Sequence, residues 1–307
     1  MVPISTQKTE VRMSVRTVLR ILLPVLLTGI YSSALATTAF SSLFSNNMIL
    51  QRGVSVHVWG TAGEGESVTV TFNGQTVVGV GDASNSWSVT LSPMSALTTG
   101  TSLSAQSYNN TVSYTNVVVG DIYLCSGQSN MDSVALSACT PNGTYDAANS
   151  NFPNIRLLYV NHNIQATPLA DSAFAPGVWR TCTSSTNSSF ISSFSGLGYY
   201  FGRKLYENQN GNVPIGLIHS AYYAMPIEVF MSLEAVMADP AMALAIPKLP
   251  FSTAYGDSTP TGVYNGMIAP LTKFNIAGAV WNQGETNQGN SSGDGINPHG
   301  WLPSTEY

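Results

Sequence analysis

Four apolar runs, separated by longer segments, constrain the fold of this chain more than any other feature. The runs are GDIYLCSG (120–127), NIRLLYVNH (154–162), VPIGLIHS (213–220) and IAGAVWNQG (276–284). Between the second and third, the segment 196–209 has helical spacing, with its apolar positions predicted on an inward face: Leu197, Tyr200, Phe201 and Leu205. Apolar strands that alternate with helices form parallel sheets, and catalytic groups then lie at the carboxyl ends of the strands. Residues 119–307 are therefore predicted to form an α/β domain.

The preceding region has a different sequence pattern, with short runs of alternating Val and Thr and no helical periodicity. These runs are VSVHVWG (54–60), SVTVTFNG (67–74), TVVGV (76–80), SWSVTL (86–91) and TVSYTNVVV (111–119). Asn73-Gly74 is typical of a hairpin turn. Residues 37–118 are predicted to form a small all-β sandwich domain. Its aromatic stripes are interpreted as core, with carbohydrate contact as the alternative.

The first 36 residues read as a signal peptide. Four basic residues precede the apolar stretch 21–30, and Ala34-Leu35-Ala36 offers a small-residue cleavage site. The stretch is about half the ~20 residues that a membrane span needs, and Pro24 interrupts it, so no stable membrane anchor is expected. The protein is predicted to be secreted, in a lysosomal or extracellular location after cleavage.

Charge excludes one class of partner. Removal of residues 1–36 leaves seven basic and 15 acidic residues, a net charge of −8, so no nucleic acid is expected as a partner. The sequence also holds four glycosylation triplets, which fit a secreted glycoprotein. They begin at Asn109, Asn142, Asn187 and Asn290.

The three cysteines suit an oxidising compartment. Cys125 lies within an apolar strand and is interpreted as a small buried hydrophobe. Cys139 and Cys182 are then the candidate disulfide, whose distance the sequence does not establish. Four scattered histidines and three cysteines give no metal-ligand spacing, so no metal is expected.

The turn after the first apolar strand carries Ser129, at the predicted carboxyl edge of the sheet and at a possible helix start. Its hydroxyl can act as a nucleophile, and free N–H groups at a helix start can stabilise an oxyanion. A simple N-cap serine is the alternative. Gln128 and Asn130 flank the serine and are candidates for oxyanion or substrate contacts.

A second polar turn, WNQGETN (281–287), follows the fourth strand and is expected at the same edge. Gln283 can donate its amide to an oxyanion, and Glu285 can orient neighbouring side chains or act as an acid or base. A hydrogen-bonded turn without catalytic function is the alternative.

Several blocks in order resemble the sialate O-acetylesterase family of SGNH-type hydrolases. They are FSNNMILQR (44–52), VHVWGTAGEGESVTVTFNG (56–74), GDIYLCSGQSNM (120–131), GLGYYFGRKLYE (196–207), VPIGLI (213–218), PIE (226–228), VYNGMIAPL (263–271) and GAVWNQGETN (278–287). The resemblance spans nearly all of the chain after residue 36. It implies a flavodoxin-like three-layer α/β/α domain that hydrolyses acetyl esters on sugars or sialic acid with a serine and no cofactor.

The resemblance also assigns roles. Ser129 takes the nucleophile position, and Gln283 matches a side-chain oxyanion donor. A further donor is the backbone amide of a glycine just before the PIE block (226–228), where this chain has Tyr223. The family's base is the histidine of an Asp-x-x-His block near the carboxyl end.

Two departures bear on activity. The family reads Trp-Gly-Gly-Thr where this chain has Tyr222 to Met225, so both glycines are replaced. Only 20 residues follow Asn287, so a fifth strand and the Asp-x-x-His block are expected to be missing.

His299 and His219 are the possible bases, while His57 and His162 are expected to be structural. The alternative function is that of an inactive fragment or pseudoenzyme that acts as a glycan-binding or interaction protein.

Overall fold

The computed structural model describes residues 37–169, 177–240, 251–253, 256–258 and 261–286. The predicted signal peptide (1–36), Asn290 and His299 lie outside these ranges. The strands of the first part of the chain are β1 (Ala39–Phe40), β2 (Ile49–Gln51), β3 (Val56–Thr61), β4 (Ser67–Phe72), β5 (Gln75–Val80), β6 (Ser86–Leu91), β7 (Leu97–Gln106) and β8 (Thr111–Gly127). Later strands are β9 (Asn151–Tyr159), β10 (Arg180–Thr183), β11 (Ile215–His219), β12 (Phe251–Thr253), β13 (Gly256–Ser258) and β14 (Gly278–Asn282).

Two sheets form the amino-terminal region. One has the order β1-β3-β6, and the other contains β5, β4, β7 and the first half of β8, with β2 paired to β8. Burial alternates along β4 and β6, as expected for strands with one face toward a core. Asn73 and Gly74, both with positive φ, join β4 to β5 as the sequence predicted. The buried side chains of both sheets pack together in one core.

Strand β8 is shared by the amino-terminal sheet and the parallel sheet. Residues 111–119 pair antiparallel with β7, and residues 121–127 pair parallel with β11 and β14. The predicted boundary between residues 118 and 119 therefore falls inside one strand, and the described residues form one compact unit. The division into two domains stays a prediction.

The parallel sheet has the order β9-β11-β8-β14, with β10 antiparallel at the edge of β9. One of its faces is covered by helices α1 (Ser129–Asp132), α2 (Leu136–Cys139), α3 (Gly143–Asn149), α4 (Ser184–Ser193) and α5 (Gly196–Asn208). Short helical segments 227–230 and 264–271 lie against the other face, and α6 (Leu233–Ala238) follows the first of them. Successive residues point to opposite faces, so Leu157 and Leu217 join the core under α1–α5 while Leu158 and Ile218 join the other core.

Helix α5 confirms the predicted helix, and three of its four predicted inward residues pack partly buried against the core: Tyr200, Phe201 and Leu205. Gly198, Tyr199 and Gly202 are buried, whereas Leu197 is 39% exposed. The reason is close packing, because a Cβ at Gly202 would lie 2.6 Å from the Leu217 side chain. The small residues turn toward the sheet so that the helix can approach it.

The predicted fold class, an α/β fold of SGNH type with a parallel sheet between helical layers after an all-β region, is confirmed. Among the described residues, no helix is both long and apolar enough to cross a membrane.

Candidate functional site

The site begins where β8 ends. Gly127 has φ +130, and a Cβ at this position would meet the carbonyl oxygen of Asn282 on β14. Gln128 donates its backbone N–H to the same carbonyl at 2.8 Å, and Gly127 accepts the Tyr222 N–H at 3.0 Å. Only glycine adopts this φ without strain. The turn is thereby held between β14 and the segment after β11.

Ser129 is the first residue of α1 and is half-buried. Its Oγ accepts the backbone N–H of Ala224 at 3.3 Å. Its own N–H belongs to the first helical turn, where no intrahelical carbonyl can accept it. A nucleophile needs such donors close by, because the charge that forms during attack develops on the substrate oxygen next to Oγ.

The amide that faces Ser129 is thus one residue beyond the position predicted from the sequence. The N–H of Tyr223 donates to Asp132 Oδ2 at 3.0 Å, and Ala224 supplies the contact to the serine. Ala224 has φ +55, the left-handed conformation that favours glycine. The replacement of a family glycine was the sequence signal for this loop, but only the backbone conformation identifies Ala224.

The second predicted turn reaches the same edge. Asn130 Nδ2 donates to Glu285 Oε1 at 2.6 Å, and the Thr286 N–H donates to Gln128 Oε1 at 3.2 Å. Gln283 Nε2 donates to the Met225 carbonyl at 3.3 Å, so its amide lies beside the loop that carries Ala224. The polar residues predicted around Ser129 from both turns are therefore brought together.

Asp132 was not predicted from the sequence. It lies three residues after Ser129, one turn along α1, and its side chain is only 3% exposed. The Tyr159 hydroxyl donates to Oδ1 at 3.3 Å, and His162 Nε2 lies 3.1 Å from Oδ1 and 3.0 Å from Oδ2. A Ser-x-x-Asp spacing at a helix start was the available signal, because residues i and i+3 share a helix face.

His219, one of the possible bases, is fully buried at the end of β11. Its Nε2–H donates to the Met131 carbonyl at 3.2 Å and lies 3.8 Å from Asp132 Oδ1, while its Nδ1 has no hydrogen-bond partner. Burial lowers the pKa of His219, since the charged ring would lose its hydration. The structure places this histidine under α1, stacked on the Tyr159 ring at 4.5 Å.

The predicted disulfide is corrected by the structure, in which Cys125, Cys139 and Cys182 are free thiols. Cys139 donates to the Leu136 carbonyl at 3.1 Å within its own helix. Cys182 is fully buried in β10, and burial raises its pKa to about 12. The two thiols belong to different contacts, and the spacing of cysteines along the sequence does not reveal this.

A cleft of about 660 Å³ opens next to the polar turns. Asn130 and Asn282 line it, and its wall is completed by apolar residues that include Leu197, Phe201 and Val280. Among the described residues, no group of three or more His, Cys, Asp or Glu side chains is placed to hold a metal ion. The chemistry available at this edge is that of a hydroxyl, several amides and carboxylates.

Comparison with known proteins identifies the family of this chain. A family model described as carbohydrate esterase, sialic acid-specific acetylesterase, matches residues 119–294. The human sialate O-acetylesterase is 31% identical over 285 residues, which cover 88% of this chain and 53% of that protein. The Pongo abelii sialate O-acetylesterase is 30% identical over 285 residues, with the same shares covered.

A solved structure is also similar: a carbohydrate acetylesterase from Xanthomonas citri, with a TM-score of 0.70 and 27% identity. The match covers 83% of this chain and 53% of that one. The chain therefore spans about half the length of the relatives that it matches. Since the family match covers more than half of the chain and includes both polar turns, the chain belongs to the sialic acid-specific carbohydrate acetylesterase family.

Proposed function

We propose that this chain is a serine esterase that removes acetyl groups from O-acetylated sugars, with O-acetylated sialic acid as the substrate class. The observation that carries the proposal is Ser129 at the end of a parallel strand with the Ala224 N–H directed at its Oγ. Acyl transfer needs a nucleophile and an oxyanion donor within reach of one carbonyl group. Family membership and the names of the relatives support the substrate class.

In the proposed reaction, Ser129 Oγ attacks the acetyl carbon while its proton passes to a base. The carbonyl electron pair moves onto oxygen, where the N–H groups of Ala224 and Ser129 and the Gln283 amide are the candidate donors. Collapse of the intermediate expels the sugar oxygen, which takes up the proton, and leaves an acetyl-serine. Water then attacks the acetyl carbon and gives up a proton to the base, and acetate leaves as Ser129 Oγ takes that proton back. His299, the candidate base near the carboxyl end, lies outside the described residues.

A protein that binds acetylated glycans without turnover is the second candidate. Ala224 holds a strained conformation where the family has glycine. In the described part of the chain, the hydrogen bonds and close polar contacts of the histidines go elsewhere than to Ser129. His57 contacts Thr90, His162 contacts Asp132, and His219 contacts Met131 and Asp132.

The test compares the full chain with Ser129→Ala and with Ser133→Ala, an exposed serine at the end of the same helix. Acetate release from O-acetylated sialic acid and labelling by a fluorophosphonate are measured. Ser129→Ala is expected to lower kcat by about 10⁴-fold or more and to abolish labelling. Ser133→Ala is expected to retain both. Unchanged turnover in Ser129→Ala would refute the nucleophile, and binding without acetate release by the wild type would favour the second candidate.

We further propose that residues 1–36 direct secretion and are removed. Two of the predicted glycosylation sites, Asn109 and Asn142, are exposed, which supports passage through a glycosylating compartment. Asn187 is half-buried and its Nδ2 donates to the Thr181 carbonyl at 2.9 Å, so it is the poorer acceptor. Amino-terminal sequencing of the released protein should begin near Thr37, and recovery with residues 21–30 retained would contradict the proposal.

A further inference from the structure

The Asp132 carboxylate joins three strand ends. Tyr159 and His162 come from the end of β9, Tyr223 from the segment after β11, and Asp132 itself from the helix after β8. A carboxylate that is 97% buried is stable only when several donors surround it, and these contacts meet that requirement. The ends of β8, β9 and β11 are therefore fixed to one another through a single side chain.

Two successive N–H groups of the loop donate to two residues of one helical turn. Tyr223 donates to Asp132 Oδ2 at 3.0 Å, and Ala224 donates to Ser129 Oγ at 3.3 Å. The direction of the second N–H depends on the first, because only one residue's φ and ψ separate the two peptide groups. The contact to Asp132 is thus geometrically linked to the contact at the nucleophile.

The loop conformation between these contacts is strained. Ala224 has φ +55, the left-handed region that an alanine disfavours because its Cβ approaches the following carbonyl oxygen. Such strain persists only where surrounding contacts hold it. The Asp132 bond immediately before Ala224, and the buried Met225 immediately after it, are the contacts in place to do so.

His162 packs against the same loop. Its ring stacks on Tyr222 at 4.1 Å and meets Tyr223 edge-on at 5.5 Å, while its Nε2 contacts Asp132. The loop is consequently held between a histidine ring and a carboxylate that also contact each other.

We propose that Asp132 is a positioning residue that holds Ala224 in its left-handed conformation, so that the Ala224 N–H points at Ser129. The inference deepens the proposed esterase function and rests on it. In this arrangement the Asp132 carboxylate stabilises a left-handed backbone conformation that a glycine at position 224 would adopt without support. Asp132 need not touch the substrate, since it acts through the Tyr223 N–H.

The experiment uses the full chain and four variants: Asp132→Leu, Ala224→Gly, the two combined, and Asp121→Asn as control. Asp121 is another buried carboxylate with several donors, at the opposite end of the parallel part of β8. Hydrogen exchange of the Tyr223 and Ala224 amides, kcat, KM and thermal unfolding are measured. Exchange needs no esterase activity, so it separates this inference from the proposed function.

Asp132→Leu is expected to speed exchange of the Tyr223 amide and to lower kcat about 100-fold, with KM changed less than about twofold. Adding Ala224→Gly should restore about tenfold in kcat, because glycine adopts the left-handed conformation without support. Asp121→Asn should leave kcat and exchange at the loop unchanged. Restoration by glycine is the signature that a general loss of stability would not give.

The inference is overturned if folded Asp132→Leu keeps its kcat, or if its loss of kcat is not restored by Ala224→Gly. Where the wild type neither hydrolyses esters nor reacts at Ser129, the proposed function fails and exchange alone decides. Faster exchange of the Tyr223 amide in Asp132→Leu then supports the inference, and unchanged exchange overturns it. If Asp132→Leu does not fold, Asp132→Asn replaces it, with an expected loss in kcat of about tenfold and the same criteria.

Discussion

The two ends of the parallel part of β8 are built alike and hold different partners. At the amino end, a Cβ at Gly120 would meet the Pro214 carbonyl, and Asp121 follows as a buried carboxylate. At the carboxyl end, a Cβ at Gly127 would meet the Asn282 carbonyl, and Asp132 follows on α1. At each end, a glycine allows close contact with a neighbouring backbone carbonyl, and a buried carboxylate accepts several hydrogen bonds.

The donors at the amino end include a permanent cation. Arg52 Nε and Nη2 donate to the two Asp121 oxygens at 2.8 and 2.7 Å, and Gln51 Nε2 adds a third bond at 3.2 Å. The Arg52 guanidinium holds the pKa of Asp121 below its usual value. Among the residues that the structure describes, the recorded contacts of Asp132 include no arginine or lysine.

The contacts at the amino end of this part of β8 stabilise the fold, whereas those at its carboxyl end orient the groups around Ser129. At the amino end, a bidentate ion pair fixes Arg52, just after β2, to β8, and the positive φ beside it falls on a glycine, Gly53, which adopts it without strain. At the carboxyl end, Ala224 is strained and His219 Nδ1 is buried without a partner, two features that lower stability. Features of this kind persist where they place reactive groups.

The largest expected effect comes from the two glycines. Gly127→Ala adds a Cβ at φ +130 and against a carbonyl, and we expect a loss of about 3–5 kcal/mol in unfolding free energy. Gly120→Ala meets a carbonyl without the positive φ, and we expect about 1–3 kcal/mol. Urea unfolding measures both. Labelling of Ser129 should fall in folded Gly127→Ala and persist in folded Gly120→Ala, and the reverse pattern would break the comparison.

A smaller effect is expected from the ion pair. Asp121→Asn should lower the free energy of unfolding by about 1–2 kcal/mol, a moderate value because Arg52 is 38% exposed and solvent screens the pair. Urea unfolding of Asp121→Asn gives the value, and Ser92→Ala, a change at an exposed side chain that is not part of the ion pair, serves as the control. If Asp121→Asn were as stable as the wild type, the amino end would not be the stabilising end.

The smallest effect is a difference in acid response. The lowered pKa of Asp121 means that its contribution is present above about pH 3.9 and is lost as pH falls through its still lower folded-state pKa. The lowered pKa of His219 means that stability falls once pH drops below about 6.5, where the unfolded chain takes up the proton first.

We therefore expect stability to fall as pH drops below about 6.5, with His219 contributing a slope of at most about 1.4 kcal/mol per pH unit. His219→Phe should flatten this slope, whereas Asp121→Asn should leave it unchanged. Urea unfolding at a series of pH values measures it. A slope that survives in His219→Phe would assign the acid response to other groups.

The sequence predicted the strands and the turns of this site because both are local patterns. The four apolar runs contain β11 and β14 and overlap the second half of β8 and most of β9, and the polar turns at Ser129 and Gln283 do reach one edge. Burial on both faces of β11 and of the second half of β8 explains why such runs are recognisable, whereas β14 is only partly buried.

What the sequence did not reveal depends on contacts between distant residues. The continuity of β8 across residue 118 was hidden because its first half alternates and its second half does not. Asp132 and Ala224 acquire their roles only when β9 and β11 bring Tyr159 and Tyr223 beside α1. The left-handed φ of Ala224 carries no signal in the residue itself, since alanine disfavours it.

The 17 residues of β8 take part in both sheets and set the distance between them along the chain. Pairing with β7 sets the register of its first half, and pairing with β11 and β14 sets that of its second half, so neither sheet can slip alone. A slip of one residue would carry Ser129 about 3.3 Å along the strand and away from the Ala224 N–H. The residue pairs between β7 and β8, such as Thr101 with Val117 and Ala105 with Val112, therefore help to set the position of the serine hydroxyl.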